Sequence, residues 1–356
     1  MLVFVDYLYK GIGGVGQIVT NSVFELNRRG LNAKVYASKE SYEYQRLAYG
    51  KANCQLIDSD TVPVKQLHRY LDREDVIFLT HIDNTILLES IKIVNNKLIF
   101  YSVFPDTFFY QGFMYKTLNL EKKALDLISL LDRKKAMFFM DLPNVEAIER
   151  RGLGLKTPIR YLPVPVHVDV KEKRSSSILP VKYNITYVGR GNDDWKIFPV
   201  IKVLQDLSEA YGDYTFTICT DTADRYKMLI SENIPNNRIP IEYKINLFGK
   251  ALDEYLINNS WLHIAMGTSA LEGAKLRIPT ILIDYSMHLF PENYVYKWIF
   301  QVDGFSLGEE IRPETKLLGE PMIEIISELM DEEKYQVIAD RCFEYVSNHH
   351  SLSAFV

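Results

Sequence analysis

The sequence predicts an α/β protein built from two doubly wound domains. Short β-branched and aromatic runs alternate with amphipathic helical segments along the chain, a pattern typical of parallel sheets covered by helices. A charged, serine-rich stretch at 171–181 interrupts the alternation and predicts a linker. The chain has 356 residues, of which 47% are hydrophobic, and this suits one or two ordinary globular domains.

Net charge and cysteine content exclude several classes of protein. The formal net charge of -5 argues against general nucleic-acid binding. The three cysteines, Cys54, Cys219 and Cys342, show no metal-ligand spacing, and their low, odd number suits a reducing compartment. No signal peptide or membrane-spanning run is visible, so we expect a cytoplasmic protein.

The N-terminal segment predicts a strand, a glycine loop and a helix. Leu2–Asp6 is a short apolar run, Gly11–Gly16 follows it, and residues 15–29 have helical apolar spacing. The glycines match the dinucleotide-binding string G-x-G-x-x-G. Two observations argue against that site. Residues 7–10 separate the strand from the loop, and Ser38 stands where an acidic residue would hold the ribose.

Two further strands of the first half lead to titratable residues. The predicted strand at 75–79 is followed by His81, and the strand at 97–103 is followed by Asp106. His81 is a candidate catalytic residue at a strand end, although a lone histidine is often a structural group. Asp106 is a candidate for acceptor binding or for action as a general base.

An aromatic and basic stretch covers residues 107–123. It is consistent with a helix packed on the sheet, or with a surface that meets a lipid-linked acceptor at the membrane. We favour the packed helix.

The second half contains the first of two pieces that indicate function. Residues 183–188 form a β-branched and aromatic run, Gly189 follows it, and residues 195–211 have helical apolar spacing. Arg190 and Lys196 therefore lie in a strand-to-helix crossover, at the carboxyl end of a strand. Ligands of open α/β sheets bind at such ends.

The second piece repeats this geometry. The short apolar strand at 261–265 is followed by Gly267, Thr268 and Ser269, and residues 270–276 begin a helix. We expect the N–H groups of the turn to face phosphate and Glu272, in the first helical turn, to accept ribose hydroxyls. Ser269 and Glu272 also fit an ordinary capping box, which would be purely structural. Two such pieces in one α/β unit favour a nucleoside diphosphate site over two separate structural turns.

Taken in order, these pieces resemble the nucleotide-sugar-binding half of GT-B glycosyltransferases, and they are most similar to the family 4 type. The resemblance covers Val-Gly-Arg, a lysine six residues after the arginine, then Gly-Thr-Ser-Ala-Leu-Glu-Gly-Ala and a strand led by proline. It implies that Arg190 and Lys196 bind the donor diphosphate, with Gly189 and the 267–269 turn beside them. It also implies that Glu272 binds the ribose.

The resemblance extends to two other segments and departs from the family at one position. Gly13, Gly14 and Val15 look like the Gly-Gly-Val-Gly loop, which in the family faces the donor phosphate and the acceptor. Phe248 corresponds to a segment that faces the nucleotide base. The family usually has two glutamates separated by seven residues, and the first of them falls at Ile264.

The resemblance implies two Rossmann-like domains facing a cleft, with a C-terminal helix that crosses back to the first domain. We expect an acceptor-binding domain over 1–170, a linker over 171–181, a nucleotide-sugar-binding domain over 182–335 and the returning helix over 336–356.

The implied activity is transfer of a sugar from a nucleoside diphosphate sugar to a glycan or lipid-linked acceptor, in surface polysaccharide synthesis at the inner face of the membrane. The nucleotide sugar is a co-substrate, and no separate cofactor is expected. We expect no metal ion either, because Arg190 and Lys196 supply the cationic charge. Asp58-Ser59-Asp60 is interpreted as a turn rather than as a metal-binding motif.

Two alternatives remain open on the same fold. One is a sugar-nucleotide 2-epimerase, and the other is a non-catalytic subunit that binds a partner glycosyltransferase. The sequence does not determine the base, the sugar, the acceptor, the stereochemical outcome or the oligomeric state.

Overall fold

The computed structural model describes residues 1–6, 14–80, 97–103, 120–150, 152–168, 183–210 and 212–356. It divides into two compact units. The first consists of Met1–Pro165 together with Leu352–Val356, and the second consists of Val166–Ser351. The linker predicted over 171–181 lies outside the described residues.

The first unit contains a six-stranded parallel sheet with the strand order β3-β2-β1-β4-β5-β6. Its strands are β1 (Leu2–Asp6), β2 (Ala33–Ala37), β3 (Cys54–Asp58), β4 (Val76–Leu79), β5 (Lys97–Ser102) and β6 (Met137–Phe139). Its described helices are α1 (Gly14–Arg28), α2 (Tyr42–Tyr49), α3 (Leu120–Arg133) and α4 (Leu142–Glu149), with a 3-10 helix at Val64–Tyr70.

Both faces of the first sheet are apolar, as expected for parallel strands covered by helices. Val3 and Val5 of β1 pack into a core on one face together with Leu127 of α3. On the other face the rings of Phe4 and Phe78 lie 5.3 Å apart. This two-sided burial explains why the central strands β1 and β4 read as continuous apolar runs.

The second unit contains a six-stranded sheet with the order β12-β11-β10-β7-β8-β9. Its strands are β7 (Asn184–Val188), β8 (Thr215–Thr220), β9 (Ile241–Ile245), β10 (Leu262–Ala265), β11 (Thr280–Leu282) and β12 (Lys297–Trp298), and β12 alone pairs antiparallel in this sheet. Its helices are α5 (Asp194–Glu209), α6 (Asp224–Asn233), α7 (Lys250–Asn259), α8 (Thr268–Ala274), α9 (Met322–Leu329) and α10 (Glu332–His349), with a 3-10 helix at Ile299–Gln301.

The two sheets share one topology. Counted from its own first strand, each has the order 3-2-1-4-5-6, which is the Rossmann order. The order reverses between β1 and β4 in the first sheet and between β7 and β10 in the second. Such switch points open a crevice beyond the carboxyl ends of the strands, where ligands of this fold class bind.

The end of the chain differs in detail from the single helix expected over 336–356. Helix α10 ends at His349 within the second unit, where Ser351 forms a parallel bridge with Val166. Only a final short helix, α11 (Leu352–Phe355), belongs to the first unit. The Phe355 ring packs there against Tyr101, at 5.7 Å between centroids.

None of the described helices is long and apolar enough to cross a membrane. Of the aromatic and basic stretch at 107–123, residues 107–119 lie outside the described residues, and α3 begins at Leu120. The predicted turn at Asp58-Ser59-Asp60 is confirmed. Asp58 ends β3, and its carboxylate accepts the N–H of Asp60 at 3.0 Å.

Candidate functional site

The turn after β7 is shaped by two glycines. The Gly189 N–H donates to the Cys219 carbonyl at 3.1 Å, and a Cβ at Gly189 would lie 2.5 Å from the Tyr187 ring. The Gly191 N–H donates to the Asp221 carboxylate at 2.7 Å, and a Cβ at Gly191 would overlap the Thr222 carbonyl oxygen. The backbone on both sides of Arg190 therefore tolerates no larger residue without movement.

Arg190 has a fixed backbone and an exposed side chain. Its carbonyl accepts the Tyr226 hydroxyl at 3.2 Å. Its guanidinium lies 3.1 Å from the Asp193 carboxylate, and the side chain is 65% exposed. Asp193 leaves most of the guanidinium exposed, so the guanidinium is available to an anionic ligand at the strand end.

Lys196 lies in the first turn of α5, close to Arg190. Its ammonium group stacks over the Trp195 ring at 4.9 Å from the centroid. Burial and, to a lesser extent, the positive charge of Arg190 lower the pKa of Lys196 to about 8, although Asp193 and Asp221 act in the opposite direction. Two cations placed this close favour a ligand that carries more than one negative charge.

The turn after β10 does not form the capping box that was the structural alternative for Ser269 and Glu272. Gly267 adopts a φ of +61° and precedes α8, which begins at Thr268 without a side-chain cap. Glu272 is the fifth residue of this helix, so the expected first-turn position is wrong and so is its partnership with Ser269. The helix begins earlier than predicted because Gly267, and not a serine or threonine, makes the turn.

One of the three expected N–H groups is already used. The Gly267 N–H donates to the Leu307 carbonyl at 2.6 Å. Within the described residues, the N–H groups of Thr268 and Ser269 have no acceptor, as is usual at the start of a helix. These two groups remain for an anion at this end of β10.

A buried histidine that no sequence motif indicated joins β7 to the first turn of α8. His263 of β10 is fully buried, and its Nε2 lies 3.0 Å from the Ser269 carbonyl. A carbonyl only accepts, so Nε2 carries the proton, and Nδ1 accepts the Thr186 hydroxyl of β7 at 3.1 Å. Burial lowers the pKa of His263 to about 4, although the bond to Ser269 opposes the change.

The departure at Ile264 has a structural explanation. Ile264 lies inside β10 with no exposed surface, and its Cα is paired with those of Tyr187 and Ile281 on the neighbouring strands. Its side chain contributes to the core of the sheet. A second carboxylate for a ligand is therefore not available from this position.

Glu272 is paired within the protein. Its carboxylate forms an ion pair with Lys275, the residue that follows the end of α8, and the Glu272 side chain is 29% exposed. Lys275 also lies 3.1 Å from the Asp253 carboxylate of α7. Sequence spacing alone shows the Glu272–Lys275 pair, whereas Asp253 is 22 residues away from Lys275 and required the fold.

Phe248 precedes α7 and is 68% exposed, which is high for a large apolar residue. Gly249 follows with a φ of +55° and caps the helix. Because α7 also carries Asp253, the segment expected to face a base is tied through Lys275 to Glu272.

The structure thus brings most of the predicted donor residues to one edge of the second sheet. Gly189, Arg190 and Lys196 follow β7, and Gly267–Ser269 follow the adjacent β10. Gly13, His81 and Asp106 lie outside the described residues, and Gly14 and Val15 begin α1. In the described part of the chain, no group of three or more His, Cys, Asp or Glu side chains has the arrangement of a metal site.

Of the comparisons with known proteins, the one with solved structures finds the same architecture. No family model matches the chain, and no curated protein matches it significantly. Among solved structures, a glycosyltransferase from Rickettsia africae is 13% identical with a TM-score of 0.63, over 99% of this chain and 95% of that one. HepE from Anabaena, crystallised with UDP and glucose, is 11% identical with a TM-score of 0.60, over 99% and 96%.

A UDP-forming α,α-trehalose-phosphate synthase from Burkholderia xenovorans, in complex with glucose-6-phosphate, is 12% identical with a TM-score of 0.60, over 99% of this chain and 97% of that one. At such identities the likeness concerns the fold. The predicted fold class, two Rossmann-like units of the GT-B type in one chain, is confirmed over nearly its whole length.

Proposed function

We propose that this protein is a glycosyltransferase that binds a nucleoside diphosphate sugar on its second unit and transfers the sugar to a glycan or lipid-linked acceptor. One observation carries the proposal. The turn with Arg190 and the turn with Thr268 and Ser269 follow adjacent strands, β7 and β10, on either side of the point where the strand order reverses. Residues 1–170 are proposed as the acceptor-binding domain, and surface polysaccharide synthesis is the proposed setting.

The charges suit the diphosphate of such a donor. Arg190 and Lys196 contribute two cations at the end of β7. Two backbone N–H groups at the start of α8 add hydrogen-bond donors that no side chain caps. HepE and the Staphylococcus aureus protein TarM, which has a similar fold, were both crystallised with UDP. A uridine diphosphate donor is therefore the first to test.

The protein's contribution to catalysis would be electrostatic. As the bond from the sugar to the diphosphate breaks, negative charge grows on the leaving oxygen, and preorganised cations stabilise that charge without reorganisation. Arg190→Ala should accordingly reduce turnover more than it reduces donor affinity. Truncation of a surface residue outside the site should change neither turnover nor donor affinity.

Nucleotide binding is the decisive measurement. UDP, GDP, TDP, CDP and ADP are each added to the purified protein, and its thermal unfolding is followed by tryptophan fluorescence. The three tryptophans, Trp195, Trp261 and Trp298, all lie in the second unit, so the signal reports the proposed donor unit. A ligand at a hundred times its dissociation constant should add about 2.7 kcal/mol of stability.

A flat response to all five nucleotides would overturn the proposal. A positive response is followed by an assay of donor hydrolysis or transfer, which separates an enzyme from a non-catalytic subunit of the same fold. That alternative is favoured by one observation, the buried isoleucine at position 264 in place of a second glutamate.

A further inference from the structure

Glu272 belongs to an ion-pair cluster whose other members, Lys275 and Asp253, were not part of the predicted donor site. The Lys275 ammonium contacts the Glu272 carboxylate through Oε2. The same ammonium lies 3.1 and 3.3 Å from the two carboxylate oxygens of Asp253 on α7. One cation is therefore shared by two carboxylates that come from different helices.

The cluster opens to solvent at Glu272. The side chains of Lys275 and Asp253 are 12% and 14% exposed, whereas that of Glu272 is 29% exposed. Burial on its own lowers the pKa of Lys275, but the charges and hydrogen bonds of Glu272 and Asp253 outweigh burial and raise it overall. Lys275 therefore stays cationic at neutral pH and holds both carboxylates.

The arrangement leaves Glu272 with spare hydrogen-bonding capacity on a partly exposed side chain. Lys275 engages Oε2, and within the described residues Oε1 has no partner. A carboxylate has about four lone-pair positions, so Glu272 can still accept two hydroxyl hydrogen bonds. Two carboxylates against one ammonium also leave the cluster with excess negative charge, which favours neutral hydroxyl donors over anions at this point.

We propose that Lys275, anchored by Asp253, is a positioning residue that orients the Glu272 carboxylate toward the two ribose hydroxyls and so makes the site prefer ribonucleotides to 2′-deoxyribonucleotides. The proposal rests on the proposed function, because it concerns the ribose of the same donor. Without Lys275, Glu272 keeps its charge but becomes a freely rotating side chain. The hydrogen bond to the 2′-hydroxyl then adds little affinity, because the carboxylate is no longer held in place.

The test compares affinities for matched ribo- and 2′-deoxyribonucleoside diphosphates by calorimetry, starting with UDP and dUDP. The wild-type protein should bind UDP at least about tenfold more tightly, because a charge-assisted hydrogen bond to the 2′-hydroxyl is lost with dUDP. Lys275→Met should bring the two affinities to within about threefold. Lys275→Arg, which keeps the cation, should retain most of the preference.

A matched control separates the loss of Glu272 orientation from the general effect of removing a buried lysine. Lys202 of α5 is also almost buried, and it lies 2.7 Å from the Asp206 carboxylate. Lys202→Met should lower stability without changing the ratio of the two affinities. If Lys275→Met does not fold, the double variant Lys275→Met with Asp253→Asn removes the unpaired buried charge and serves in its place.

The outcomes separate the two proposals. Failure of the wild-type protein to bind any of the five nucleoside diphosphates defeats the proposed function itself. Wild-type binding with equal affinity for UDP and dUDP, or a folded Lys275→Met variant that keeps the full preference, defeats only the role of Lys275. A Lys275→Arg variant as indifferent as Lys275→Met would also count against it.

Discussion

The Nε2–H group of His263, whose side chain is fully buried, donates to the carbonyl oxygen of Ser269 at 3.0 Å. The other ring nitrogen accepts the Thr186 hydroxyl, so the imidazole links β7 to the first turn of α8. Gly273 is necessary for this contact, because a Cβ there would overlap the imidazole ring. One buried, neutral side chain thus connects β7, the strand that leads to Arg190, with the start of α8.

His263 should make the second unit sensitive to acid. Its pKa is lowered from 6.5 to about 4 in the folded protein by burial, so the unfolded state binds the proton first as pH falls. Stability from the neutral ring is complete above pH 6.5 and should decline by about 2 kcal/mol by pH 5. Denaturant unfolding followed by tryptophan fluorescence measures the slope. The His263→Gln variant should be less stable at pH 7.5 but should lack this part of the slope, and parallel curves would contradict the prediction.

Lys196 should make nucleotide binding depend on alkaline pH. With a pKa of about 8, its ammonium form is present at pH 7 and mostly lost at pH 9. The affinity for the best nucleoside diphosphate should therefore fall by about tenfold between these values. Lys196→Arg keeps its charge throughout this range and should remove the dependence. Calorimetry at both pH values decides, and an unchanged slope in the arginine variant would assign the effect to another group.

Gly191→Ala should disrupt the turn that carries Arg190. The added methyl group would overlap the Thr222 carbonyl oxygen, so the backbone must shift away from Asp221. Overpacking of this kind costs roughly 1–3 kcal/mol, and nucleotide affinity should fall with it. Gly154→Ala is the control, because nothing lies within 4 Å of a Cβ there. Equal melting temperatures and affinities for the two variants would show that the turn adapts freely.

Asp6 should destabilise the first unit above neutral pH. Burial and, to a lesser extent, the charge of Glu43 raise its pKa from 3.8 to about 7. The folded state then binds the proton more tightly, so stability is lost as pH rises through that window. Asp6→Asn should stabilise the unit by up to about 4 kcal/mol at pH 8 and have little effect near pH 4. Hydrogen exchange of the β1 amides reports this unit, and a gain independent of pH would contradict the raised pKa.

Transfer activity should persist in EDTA. Arg190 and Lys196 are proposed to neutralise the leaving diphosphate, which is the task a divalent cation performs elsewhere. Activity is measured before and after chelation, and again after addition of Mg²⁺ or Mn²⁺. A loss that either ion restores would show that the two cations are insufficient.

The sequence alone was enough to predict the strands that are almost completely buried. β1, β7 and β10 are almost entirely buried, and each reads as a short apolar run that ends where the structure ends it. The edge strands β3 and β9 were not predicted. Both are partly exposed and carry polar residues, as in Ile241–Ile245 with Glu242 and Lys244, so their apolar pattern is weak.

Proximity along the chain likewise determined part of the site. Gly189, Arg190 and Lys196 lie within eight positions of one another, and a strand followed by a helix places them at one sheet edge. The start of α8 was misjudged by two residues. Serine and threonine are the usual caps, and no local signal showed that Gly267 would turn the chain instead.

Only the tertiary structure decided which polar groups meet. Thr186 and His263, Asp253 and Lys275, and Gly267 and Leu307 are brought together by strand order and helix crossovers. A local pattern encodes whether a side chain is buried, because burial depends on the period of the element that carries it. The partner that a buried polar group finds depends on which distant element packs against it, and that is settled when the whole sheet assembles.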